Sequence, residues 1–168
     1  MTAGCTPEEI RELLNRRMLA ANRHRAAVTK QLGLTDTEAD ALGHLARAGG
    51  MTPSELGELL GMTSGGVTAL TQRLELAGHI SREAHPRDRR SSILKATPAM
   101  IERVQEKYRD FVVEVDRVTA QLSQEERDVI GRYLERLVLL SERYADEAAA
   151  ALEAAEDRQP HEPVELWA

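Results

Sequence analysis

The sequence is poor in the residues that staple a fold or hold a metal in it: its 168 residues include one cysteine, Cys5. A lone thiol closes no internal disulfide and has no second cysteine with which to build a zinc knuckle. Aromatic residues are scarce at 3%, which points to aliphatic packing of helix on helix. No run approaches the roughly 18 consecutive apolar residues of a membrane span, and the first residues lack the charged, apolar, small order of a secretory signal. A cytoplasmic protein with no membrane partner is expected. A phosphate loop, a nucleophile elbow and a paired metal-ligand spacing are also lacking, and the five histidines are scattered. These absences argue against an enzyme and against a cofactor or metal; His85 near Asp88 reads as a turn and not a dyad.

What is present is an ordinary globular composition, 42% hydrophobic and 30% charged, in a length that one domain usually occupies. The net charge of −6 is unevenly placed. From Ser64 to Lys95 six basic residues face three acidic ones, whereas from Glu142 onward eight acids face Arg143 and Arg158. The middle of the chain is therefore basic and its end acidic, and a local basic face is what matters to a polyanion.

Four Ser/Thr-x-x-Glu boxes mark helix starts, because the two side chains satisfy orphan backbone donors reciprocally. Thr6 to Glu9 opens a first helix to about Gln31, with Ile10, Leu13, Leu14, Met18, Ala21 and Val28 at helical spacing. Thr35 to Glu38 opens a second, carrying Ala39, Leu42, Leu45 and Ala46 and stopped by Gly49-Gly50. Thr52 to Glu55 opens a short third helix with Leu56, Leu59 and Leu60 inward and Gly61 as its stop. A fourth starts near Thr63 or Ser64 and sets Val67, Leu70 and Leu74 on one face before Gly78. Two helices joined by a three-residue turn, the second led by small polar residues, read as a helix-turn-helix whose second helix is the reader. His79–Ala84 and Ser91–Ala96 read as the strands of a hairpin around His85-Pro86-Arg87-Asp88-Arg89-Arg90. Thr97-Pro98 starts a fifth helix with Ile101, Val104, Tyr108, Phe111, Val112, Val115 and Val118 inward. Ser123 to Glu126 starts a last one bearing Val129, Ile130, Tyr133, Leu134, Leu137 and Leu140. The predicted fold is mainly α: a winged helix-turn-helix with a two-stranded β wing, flanked by N- and C-terminal helices.

This order resembles the MarR family of transcriptional regulators. Leu59-Leu60-Gly61-Met62-Thr63-Ser64-Gly65-Gly66-Val67-Thr68-Ala69-Leu70, followed by Arg73-Leu74-Glu75 and Gly78, is similar to that family's turn and recognition helix. Asp88-Arg89-Arg90, with Lys95-Ala96-Thr97 beyond it, resembles its Asp-x-Arg wing signature, although Ala96 stands where a Leu is usual. The resemblance runs from about Glu8 to Tyr144. It implies a single regulator domain over 1–155, with a DNA-binding lobe at about 35–97 and dimerisation helices at about 7–31 and 98–155. Residues 156–168 are expected to form a flexible acidic tail.

A reader helix approaches base edges with its N-terminal end, where small hydrogen-bonding residues fit and the helix dipole favours phosphate. Ser64, Gly65 and Thr68 suit this, Thr71 and Gln72 stand one turn further on, and Arg73 is placed either for a phosphate or for an acid of its own domain. By resemblance, Arg90 is the wing arginine that enters the minor groove, Asp88 the carboxylate that orients it, and Arg87 and Arg89 are phosphate contacts. Surplus apolar stripes on the first, fifth and sixth helices imply a homodimer, and two readers then address a pseudo-palindromic duplex operator. The family resemblance further implies a repressor released by a small aromatic or anionic effector. Arg23, His24, Arg25, His44, Tyr108 and Phe111 are the candidates for its crevice, with a solvated basic face and ordinary core packing as the competing readings. Cys5 precedes the first helix and reads as an incidental thiol. The alternative function is a winged-helix protein-interaction module, against which the arginines clustered at the wing tip stand.

Overall fold

The computed structural model describes residues 4–87 and 91–156. Along the chain run α1 (Pro7–Leu32), α2 (Asp36–Ala48), α3 (Pro53–Leu60), α4 (Ser64–Leu76), β1 (Ile80–Ala84), β2 (Ser92–Ala96), α5 (Pro98–Ala120) and α6 (Gln124–Glu156). No helix among the described residues is long and apolar enough to cross a membrane.

The helix starts follow the capping chemistry. Thr6 with Glu9, Thr35 with Glu38 and Thr52 with Glu55 each exchange both bonds of the box. Ser123 and Glu126 do the same: the Ser123 N–H donates to Glu126 Oε2 at 2.7 Å, and the Glu126 N–H to Ser123 Oγ at 3.2 Å. α4 has a simpler cap, the Gly66 N–H donating to Thr63 Oγ1 at 3.3 Å. Residues 156–168, expected as a tail, lie outside the described residues apart from Glu156.

Contacts divide the chain after Asp110 into two compact units. In the first, α2, α3 and α4 enclose a core in which Leu45, Leu56, Leu70, Leu74 and Leu94 are essentially inaccessible, joined by Ala41, Leu42, Ile80 and Met100 and by Val28 and Leu32 from the end of α1. Each such leucine contributes about 1.5–3 kcal/mol relative to exposure. β1 and β2 pair antiparallel, Ile80 with Ala96 through Ala84 with Ser92. A third strand-like contact fastens this hairpin at its root: the Met51 N–H donates to the Leu94 carbonyl at 3.1 Å and the Leu94 N–H to the Met51 carbonyl at 2.8 Å. Gly50 makes that approach possible. Its φ is +129°, and a Cβ there would stand 2.8 Å from Ile93 Cγ2 and 2.9 Å from Lys95 Cγ.

The second unit comprises the end of α5 and all of α6, and here the inward set expected for the fifth helix is corrected at Phe111, Val112, Val115 and Val118. Phe111, Val112, Val115, Val118, Val129, Ile130, Tyr133, Leu134 and Leu140 are between 39% and 61% exposed. Leu59 of α3, also expected inward, is exposed as well, as are Leu13 and Met18 of the α1 stripe and Ala46 of α2. A stripe at helical spacing marks a face that gains from cover; it does not say that the same chain provides the cover. Ala41, absent from the expected set, is fully buried in the core.

The caps carry a pH dependence. The Thr35 N–H, and secondarily the Thr35 hydroxyl and Arg73, hold the Glu38 carboxyl below its ordinary value of 4.5. Bonds from Thr6, Thr52 and Ser123 lower Glu9, Glu55 and Glu126 in the same way. A carboxyl lowered in the folded state binds its proton first in the unfolded chain, so the stabilisation is complete above pH 4.5 and is lost as pH falls below it. Urea midpoints should therefore hold from neutral pH down to about pH 4.5 and drop below it. Glu38→Gln, which keeps the cap but not the charge, should flatten that drop; an unchanged slope would remove Glu38 from the account.

Candidate nucleic-acid interface

α3 and α4 are joined by Gly61, Met62 and Thr63, and they cross closely. A Cβ on Gly57 would lie 2.9 Å from Val67 Cγ2. α4 then has two faces. Val67, Leu70, Thr71 and Leu74 are buried, while Ser64, Gly65, Thr68, Ala69, Gln72, Arg73 and Leu76 are exposed.

Thr71 is a correction to the expected contact set. It is 1% exposed; its hydroxyl donates to the Thr68 carbonyl at 3.2 Å and accepts from Arg82 Nη2 at 3.5 Å. Helical spacing accounts for its position. Val67, Leu70, Thr71 and Leu74 form one inward stripe, in which a threonine takes a core place with its polar atom satisfied.

The outward face offers little charge. Thr68 donates its hydroxyl back to the Ser64 carbonyl at 2.9 Å, and a Cβ added to Gly65 would meet nothing within 4 Å. Arg73 Nε donates to Glu38 Oε1 of α2 at 3.3 Å, and the side chain stays 59% exposed. Ser64, Thr68 and Gln72 remain together on one exposed surface.

Arg82 is the residue that sequence reasoning missed. Ile80, Arg82 and Ala84 share one face of β1, opposite Ala96, Leu94 and Ser92, so Arg82 stands on the face that carries the core. Its Nη1 donates to Ser92 Oγ at 2.7 Å, Nη2 reaches Thr71 Oγ1, and Nε lies 3.6 Å from Glu75 Oε2. One guanidinium thus ties the buried side of α4 to both strands. A charge at an inward register, two residues after Ile80, was the available signal. On the opposite face Lys95 Nζ and Glu83 Oε2 pair at 2.7 Å. At the tip, the Arg87 N–H donates to His85 Nδ1 at 3.3 Å and the Arg87 side chain is exposed. Asp88, Arg89 and Arg90 lie outside the described residues.

The expected crevice residues are only partly brought together. A cavity of about 570 Å³ within the first unit is lined by Arg25, His44 and Tyr108 with apolar neighbours including Leu32, Leu42 and Met100. Arg25 Nη1 is paired with Asp40 Oδ1 at 2.9 Å. His24 does not line the cavity, but its ring lies 5.1 Å from that of Tyr108. Arg23 belongs instead to an open groove along α1 with Leu13, Arg16 and Leu19, and Phe111 is not among the lining residues. Cys5 is exposed.

Comparison with known proteins assigns this arrangement. A family model described as the MarR family matches residues 32–91. The uncharacterized HTH-type transcriptional regulator YcgE of Bacillus subtilis (strain 168) is 33% identical over 111 residues, 66% of this chain and 71% of the relative. The transcriptional regulator Tm0710 from Thermotoga maritima has a similar solved structure, with a TM-score of 0.58 at 29% identity over 83% of this chain and 98% of that one. A mutant of S. aureus MepR bound to an oligodeoxyribonucleotide shares the fold with a TM-score of 0.51 at 23% identity, over 79% of this chain and 96% of that one. The chain belongs to the MarR family of DNA-binding, winged helix-turn-helix transcriptional regulators, and it is not an enzyme.

The Arg82 junction generates a prediction. Arg82→Ala should destabilise the protein by about 1–2 kcal/mol through the lost bonds to Ser92 and Thr71, and Arg82→Lys should restore only part of this because it lacks the planar fork. Urea denaturation reads the first effect. Hydrogen exchange should show the amides of residues 92–95 opening faster, and unchanged exchange there would mean that Arg82 does not hold the hairpin.

Proposed function

We propose that the chain acts as a homodimeric repressor on a pseudo-palindromic duplex operator, with α4 in the major groove and the wing beside it. The observation that carries this reading is the outward face of α4, small and hydrogen-bonding from Ser64 to Gln72, next to a hairpin that exposes Arg87, with Arg89 and Arg90 following in the sequence. The DNA-bound MepR mutant has the same fold. Exposed apolar side chains on α1 and α6, among them Leu13, Leu19, Leu134 and Leu139, support a second copy as their cover. Such a regulator works in the cytoplasm with its DNA. A module that only docks proteins, the alternative raised by the net charge, loses its ground with the family established.

In this reading Arg90 enters the minor groove, oriented by Asp88, while Arg87 and Arg89 contact phosphate. Arg90→Ala should cost about 1–3 kcal/mol of operator affinity. Arg87→Ala should cost less and lower the salt slope by about one unit per wing. Isotherms on operator and scrambled duplex at several salt concentrations, with sedimentation to fix the dimer, test the whole assignment. Undiminished operator binding by folded Arg90→Ala, or a monomer at micromolar concentration, would overturn it.

The cavity beside Arg25 and Tyr108 is proposed as the effector site, for a small anion with an aromatic body. Asp40 already occupies the Arg25 guanidinium, so an entering carboxylate has to compete with it. Salicylate should weaken operator binding, and Asp40→Asn should lower the salicylate concentration needed. Titration calorimetry and operator release measure both; no response to a panel of aromatic acids would remove the effector from the proposal.

A further inference from the structure

Resting on that operator-binding reading, we propose that Gln72 is the base-reading side chain of α4 and that it selects an adenine in each half-site, with Thr68 and Ala69 favouring thymine beside it. Three observations converge on this. From Ser64 to Gln72 the helix contains no lysine or arginine, so its leading two turns have no side chain able to grip the O6 and N7 of guanine, the commonest specific contact. The first arginine beyond, Arg73, pairs its Nε with Glu38 on α2 at 3.3 Å, which leaves only part of its guanidinium for another partner.

The remaining outward residues sort by what they can offer. Gln72 is exposed, and its amide carries one donor and one acceptor in the fork that matches N6 and N7 of adenine. Thr68 has given its hydroxyl hydrogen to the Ser64 carbonyl, so toward a partner it presents a methyl group and an acceptor. Ala69 presents only a methyl. Both suit the C5-methyl of thymine. Thr71, the one other hydrogen-bonding side chain on this stretch past Thr68, is buried. Past Ser64 and the Thr68 oxygen, Gln72 is thus the one outward side chain of this stretch with a donor-acceptor fork, and the methyl groups beside it suit A·T pairs.

The test is selection of duplexes by the purified full-length chain from a library with a randomised window, followed by affinities for the selected duplex and its single-pair variants. The parent should select a two-fold motif with an A·T pair in each half-site, and replacing that pair by G·C should cost roughly tenfold per half-site. Gln72→Ala should flatten preference at that pair alone. Gln72→Arg should move the preference there from A·T to G·C, since arginine brings the fork that guanine accepts. Gln72 is exposed, and circular dichroism checks that both variants keep the fold. A parent that selects a motif to which both variants respond unchanged overturns the assignment of Gln72 and leaves the operator-binding reading standing. A uniform loss on every sequence makes Gln72 a phosphate contact and also overturns the assignment. A parent that selects no motif overturns both.

Discussion

The packing of the inner face of α4 is the constraint on which the rest of the lobe depends. Leu70 and Leu74 are sealed among α2, α3 and the hairpin, and Thr71 between them takes up the Arg82 guanidinium. A helix held along that stripe has no freedom to rotate, because turning it would drag the leucines into water at about 1.5–3 kcal/mol each. The exposed face is therefore aimed by residues that never touch what it meets. The close passage at Gly57 sets the distance between α3 and α4, and the Met51–Leu94 bridge sets the root of the hairpin.

Much of this was legible in the residues. The four capping boxes gave every boxed helix its start, because a box is a local exchange of hydrogen bonds that needs no tertiary partner. The hairpin limits came within a residue because a polar, proline-containing turn interrupts two short strand-like runs. What was not legible was the cover over an apolar stripe: Val112 and Val129 have the same kind of helical spacing as Leu42 and Leu45, yet only the latter pair is buried within the chain. Of the candidate site, the exposed set Ser64, Gly65, Thr68 and Gln72 could be read from position in the helix. Thr71 could not, since hydropathy makes a buried threonine look like a surface one, and for Arg82 the sequence showed the charge at an inward register but not the three partners that satisfy it. Of the proposed crevice set, Arg25, His44 and Tyr108 line one cavity while Arg23 and Phe111 do not.

Charge in this protein is arranged rather than abundant. The −6 total coexists with a basic central segment because the acids concentrate toward the end of the chain. Within the lobe, arginines are partly spent on structure: Arg25 on Asp40, Arg73 on Glu38, Arg82 on Ser92, Thr71 and Glu75. Arg87 stands exposed at the hairpin tip. Surface pairs of this kind add little stability individually, but each one withdraws a cation from general attraction to phosphate, which keeps nonspecific adhesion in check.

The partition of α4 into a sealed face and a bare one has an evolutionary consequence. Side chains at 68, 69 and 72 project from the helix away from Leu70 and Leu74, so exchanges among them leave the core contacts intact. A lineage carrying this lobe can drift through many outward combinations with little penalty in folding, while the inward stripe stays under strict steric control. Diversification of such a scaffold is thereby channelled into a handful of codons on one side of one helix.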